Sequence, residues 1–266
     1  MPLANTLSMQ EKTKSKPEQL GPLLLDIGIM LIQAGASSHR INTVINRIAS
    51  AYDCTPDIHI DPKSISLSLQ LSEAEKSFNG ARNATGYGVN FATLSGLSTM
   101  SLSLVKKQWQ LQEIRTEMKR LSSLPHYPRI LVLTGVALAG ACFCYTFGGD
   151  LLEMAITFGA TFCGLWAKQE LVKRSVNTYI CSFLSALVAC LFTGAFYKFG
   201  IGLELEHAYA TCVLFLIPGV PLINFFIDLL AGNILFGLDR GLNALLHIMA
   251  IAFALAIAIV IYNFPR

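Results

Sequence analysis

The feature that most constrains this chain is a series of long apolar runs beyond residue 128. Five are visible, near 130–147, 151–167, 176–197, 208–230 and 241–262. A helix needs about 20 apolar residues to cross a bilayer, and about 17 at the least, so the second run is marginal and the others suffice. Lipid offers no partner to backbone amides, which leaves helices as the structure for runs of this length. Before residue 128 the apolar stretches are short and broken by polar ones. Charged residues make up 14% of the chain, against about a quarter in a soluble domain. The expected fold is a multi-span α-helical membrane protein with five transmembrane helices and an N-terminal cytoplasmic α+β domain. Its expected divisions are a disordered tail over 1–17, the cytoplasmic domain over 18–124 and the membrane domain over 125–266.

Loop charges orient the runs. Lys106, Lys107, Arg115, Lys119, Arg120 and Arg129 gather before the first run, as expected at a cytoplasmic bilayer surface carrying anionic lipid. The link after the first run, Gly148-Gly149-Asp150, has no cation, whereas that after the second has Lys168, Lys173 and Arg174. After the third, Glu204 and Glu206 oppose Lys198, and the link after the fourth ends in Asp239-Arg240. Cations therefore place the N-terminus in the cytoplasm and the C-terminus outside, Arg266 being the one mild exception. A net charge of +3 is too small to imply a nucleic-acid partner. Six of the seven cysteines lie in apolar runs without a C-x-x-C pair, so they read as small packing residues, and no metal or cofactor is expected.

In the polar half, Lys12, Lys14 and Lys16 precede an apolar stretch ending Ala34-Gly35-Ala36. Asp26 interrupts that stretch, which reads as an amphipathic helix of the mature chain rather than a cleaved leader. A second helix follows Ser37 or Ser38, with Ile41, Val44, Ile45, Ile48 and Ala49 on its apolar face. The alternation around Asp61-Pro62 predicts a β-hairpin, and "GYGVNF" (86–91) a third strand. Helices are expected over 93–105 and 108–123, the latter with Leu111, Ile114, Met118 and Leu121 inward. Arg40 is expected to pair with Asp26, with an acidic ligand, or in an ordinary surface salt bridge.

The fourth run, "LIPGVPLINFFIDLLAGN" (216–233), holds Pro218, Gly219, Pro221, Asn224, Asp228 and Gly232. Each proline lacks an amide hydrogen and clashes with the preceding turn, so carbonyls near 214–217 should lose partners. Lipid tolerates that only where the freed groups face protein or water. On a helix Pro221, Asn224, Asp228 and Gly232 fall within about 80° of one another. A mid-membrane carboxylate costs about 2.5–3.5 kcal/mol. A substrate or ion pathway through these residues is one reading, and a kinked packing helix with an interfacial Asp228 is the other.

Other stripes could meet it. Asp239, Asn243 and His247 share a face of the fifth run, and a histidine there suits either proton relay or a structural hydrogen bond. Glu153, Thr157, Thr161, Gly164 and Lys168 share a face of the second, with Glu153 expected as a solvated interfacial carboxylate. Ser37, Ser38 and His39 are adjacent and form no nucleophile–base pair, and no phosphate-cradling G-x-x-x-x-G-K-[ST] is present, so neither an enzyme nor an ATP-driven pump is expected.

"LIQAGASSHRINTVINRIASAY" near the start and "LIPGVPLINFFIDLLAGNILFGLDRGLNALL" near the end resemble the bacterial threonine/serine exporter family, and most closely its short, split members of the YjjP type. Pro-Gly-x-Pro with its downstream Asn and Asp carries the likeness, supported by Gly35 and Arg40. The resemblance implies export of small polar metabolites: threonine and serine, or C4 dicarboxylates such as succinate. It also implies a separate small multi-span membrane subunit as partner, and a homo-oligomer is compatible with it. Ile227 stands where the family pattern implies a basic residue, and Asn233 where it implies an acidic one. A membrane-anchored sensor or scaffold, its cytoplasmic domain binding an effector, is the alternative.

Overall fold

In the polar half, the elements follow the spacing of apolar residues. The structure, a computed structural model, describes residues 16–71, 74–84, 86, 88–125, 127–201 and 205–262. Residues 1–15 of the expected tail, Glu204 and Arg266 lie outside these. Helix α1 (Lys16–Gln33) buries Leu20, Leu24, Ile27 and Leu31, three to four residues apart as one helix face requires. Helix α2 (Ser38–Ser50) is N-capped by Ser37, whose hydroxyl accepts from the Arg40 amide at 3.4 Å, and buries all five expected apolar residues.

The hairpin forms where the Asp-Pro turn places it, joining β1 (Cys54–Asp61) to β2 (Ser64–Leu71). The third strand is β3 (Ala74–Asn83), antiparallel to β2, and not "GYGVNF". Gly86 and residues 88–90 are irregular, and Phe91 already opens α3 (Phe91–Lys107), capped by Asn90. The polar sequence of β3 hid it, because alternation is weak on an edge strand. Ile65, Leu67 and Leu69 point inward beneath α1. Helix α4 (Leu111–Ser122) buries Ile114, Met118 and Leu121. Asp26 faces Arg82 at 3.4 Å rather than Arg40, which is exposed.

The described chain divides into two units. The first takes the residues up to Pro125 together with Val220–Gly241, and Phe236 joins its core. The second takes residues from His126 to Gly219 and from Leu242 onward. In it α5 (Arg129–Thr146), α6 (Leu151–Lys173) and α7 (Thr178–Lys198) pack in sequence. Small residues lie inside, among them Ala137, Ala160, Ala186, Ala189 and Ala254, while Leu138, Phe143, Phe253 and Val260 are exposed. That inside-out pattern suits lipid, where close approach of small residues holds helices together.

The fourth run is not a continuous helix. Helix α8 (Glu206–Thr211) gives way to a 3-10 turn (Leu214–Leu216), and α9 (Gly219–Leu230) follows an extended Ile217. Helix α10 (Ile234–Tyr262) begins ahead of residue 241, so Asp239 and Arg240 lie within it rather than in a link. Among the described residues, α5, α7 and α10 are long and apolar enough to cross a membrane, with a fourth crossing if the broken run counts as one. Helix α6 is 23 residues long but carries Glu153, Lys168, Glu170 and Lys173, and five spans are not established by helix length and hydropathy.

Candidate functional site

The prolines of the fourth run begin a helix rather than kink one. Pro218 lies in the break, and Pro221 occupies the first turn of α9, where an amide hydrogen has no intrahelical partner to lose. The carbonyls expected to be orphaned are partly recovered, since Leu214 accepts from the Ile217 amide at 3.1 Å and Ile217 from that of Gly219 at 2.9 Å. Gly232 lies beyond the end of α9 with φ +82°, a conformation that favours glycine. Its amide and that of Asn233 donate to the Leu229 and Asp228 carbonyls, closing the helix end. Gly232 therefore terminates the helix instead of extending its polar face.

Asp228 is fully buried. One carboxylate oxygen accepts from the Ser38 amide at 2.8 Å and the Ser38 hydroxyl at 2.6 Å. The other accepts from Arg240 Nη1 at 2.9 Å. Ser38 opens α2, so the carboxylate meets a helix N-terminus, where orphan amides and the helix dipole both favour negative charge. Arg240 Nη2 donates to the Ala36 carbonyl at 2.5 Å, and the guanidinium lies over the Phe236 ring at 4.2 Å. Asn233 donates to the Ser38 hydroxyl at 2.9 Å, and Asn224 to the Gly35 carbonyl at 2.8 Å. Gly35 has φ +84°, and a Cβ there would stand 2.9 Å from the Gly88 carbonyl oxygen. The turn Gly35–Ser38 and the stretch Asn224–Arg240 thus form one polar joint inside the first unit. Ile223, Phe226 and Leu230, on the rest of α9, are exposed.

Sequence reading missed Arg240 as the partner of Asp228, having placed it at the end of the link after the fourth run. A buried carboxylate demands a cation or a set of donors, and Arg240 is the first cation after Asp228; that was the available signal. Ser38 carried none beyond its capping type.

The remaining candidates belong to the second unit. Tyr179 donates to Asn243 Oδ1, and Ser182 Oγ lies 2.8 Å from His247 Nδ1. Glu153 is 4% exposed, not solvated as expected. It accepts from the His207 and Ala208 amides at 3.1 and 3.2 Å and from the Asp150 amide at 3.2 Å, and meets His207 Nδ1 at 3.2 Å. One carboxylate thereby closes the N-termini of both α6 and α8, which explains its burial. Thr157 and Thr161 turn toward Thr211 and the Cys212 carbonyl.

The family profile described as "Putative threonine/serine exporter" matches residues 22–262. The chain belongs to the threonine/serine exporter family. In this family member, the two segments that carry the resemblance meet at the Asp228 joint. It is similar to the "Probable succinate transporter subunit YjjP" of Klebsiella aerogenes, 25% identical over 251 residues, 94% of this chain and 96% of the relative. It is likewise similar to the protein of that name from Escherichia coli K12, 26% identical over 244 residues, 91% of this chain and 94% of the relative. No solved structure matches it at a significant level.

Proposed function

We propose that this chain is one subunit of a secondary exporter of small polar metabolites in a bacterial inner membrane. The family match across residues 22–262 carries the reading, and the word "subunit" in both relatives' names supports a separate small membrane partner. Threonine, serine and succinate are the cargoes to test, from the family description and the relatives' names.

Five crossings with the N-terminus in the cytoplasm remain the proposed topology, the fourth being broken at Ile217-Pro218. Helix α10 has 29 residues, about 43 Å at 1.5 Å each, against a hydrocarbon core of about 30 Å. Its surplus lets Ile234–Gly241 stand at the cytoplasmic interface, which suits the buried Asp228–Arg240 pair better than mid-bilayer. Both Asp228 oxygens are occupied, so cargo or a proton would engage this carboxylate only after Ser38 or Arg240 lets go. The proposed role of the cluster is a joint, with Asn224 and Gly35 setting its geometry, and Arg40 exposed beside it.

The test is efflux of labelled threonine, serine and succinate from cells expressing the chain with and without a candidate small membrane partner. Faster loss of at least one cargo, requiring both subunits, is expected. Unchanged levels of all three under every combination would refute export of these cargoes. A sensor or scaffold would instead give no efflux under any combination and lose its output in Arg40→Ala.

A further inference from the structure

At one end of the second unit, polar side chains from three helices converge where α6 ends and α7 begins. Tyr179 and Ser182, one turn apart on α7, meet Asn243 and His247, one turn apart on α10, as two successive rungs. The Tyr179 and His247 rings lie 4.9 Å apart between centroids. One turn further, Ser185 donates to the Gly164 carbonyl of α6 at 2.5 Å. Gly164 is four residues before Lys168, so this contact places Lys168 on the same side of α6. Lys168 is half-buried, within electrostatic reach of both His247 and Cys181.

The cations at this end are not equivalent. Arg129 meets Glu170 at 3.1 Å and Gln169 at 2.6 Å, and Lys173 meets Glu170 at 3.6 Å. Lys168 has no carboxylate partner among the described residues. A half-buried ammonium with no carboxylate partner among the described residues, on the side of α6 that meets α7 and within electrostatic reach of an imidazole, is a site for an anion. The charge is costly to hold between apolar helices unless something negative visits it.

Resting on the export reading above, we propose that Lys168, with His247, binds a carboxylate of the cargo in the second unit. The ammonium supplies the charge, Ser182 holds the His247 ring through its Nδ1, and Tyr179 and Asn243 brace the next rung. The proposed topology makes this the cytoplasmic end, where an exporter must collect its load. The Asp228 joint, its carboxylate already paired, has no part in the contact.

The test is calorimetric titration of the full chain in lipid nanodiscs with succinate, with threonine and with succinamide, which lacks the carboxylates. Wild type is expected to prefer succinate to succinamide by at least about tenfold, because a charged partner roughly doubles the strength of such bonds. Lys168→Gln is expected to weaken succinate and threonine about tenfold or more and leave succinamide unchanged. Lys168→Arg should keep most of the affinity, and its thermal midpoint reports whether the fold is intact. Equal succinate affinity in wild type and Lys168→Gln would overturn the site, as would a wild type that binds neither acid. Export and site fail separately. Efflux undiminished in Lys168→Gln removes the site alone, whereas Lys168-dependent binding without efflux removes the export reading alone.

Discussion

Asp228→Asn tests the joint most directly. The asparagine carbonyl can still accept from the Ser38 amide and hydroxyl, so those two bonds survive. Its amide nitrogen, however, would face Arg240 Nη1 where a carboxylate oxygen now sits 2.9 Å away. Arg240 is 7% exposed, and its guanidinium would become a buried charge opposed by a donor. Removing one member of a buried ion pair costs about 3–5 kcal/mol. At about 2–4 °C per kcal/mol for a chain somewhat smaller than this one, the unfolding midpoint should fall by about 6–20 °C. Arg240→Gln should cost a similar amount, leaving the Asp228 carboxylate buried without its cation. The double variant should cost less than the sum of the two by about 0.5–3 kcal/mol, the range found for contacting residues. The assay is thermal unfolding of the full chain in one detergent, followed by tryptophan fluorescence at a fixed scan rate. Two single variants within about 1 kcal/mol of wild type, with additive effects, would refute the pairing.

Three further expectations use the same measurement. Asn233→Asp removes the donor to the Ser38 hydroxyl and adds a charge beside Asp228, for a loss of about 1–3 kcal/mol. Gly35→Ala and Gly86→Ala share positive φ, but only the first meets a carbonyl oxygen, at 2.9 Å. Gly86→Ala should cost about 1–2 kcal/mol and Gly35→Ala measurably more. Glu153→Ala leaves the Asp150, His207 and Ala208 amides without this acceptor, and should cost at least about 1.5–3 kcal/mol, the worth of one charged hydrogen bond.

Much of the fold was legible because local patterns decide it. The spacing of Ile41, Val44, Ile45 and Ile48 specifies an amphipathic helix whatever it packs on, and "SISLSLQL" specifies a strand with one buried face. The edge strand β3 was not legible, since an edge need not alternate, and a glycine-rich segment drew the assignment instead. Proline and glycine in the fourth run announced a break, yet the sequence could not say whether Pro221 would bend a helix or start one. Position within the helix settles that, because only the first turn has amides to spare.

What the sequence determined by itself is membrane residence and family: apolar runs must be helical in lipid, and two motifs suffice for the resemblance. What only tertiary structure decided is the pairing. Asp228 and Ser38 stand 190 residues apart, and nothing local in either segment encodes the other. A buried carboxylate must find donors somewhere, but which donors depends on where the chain returns, and that follows from packing. The structure supplied Ser38 and Arg240, and with them turned an isolated acid in an apolar run into the centre of a joint.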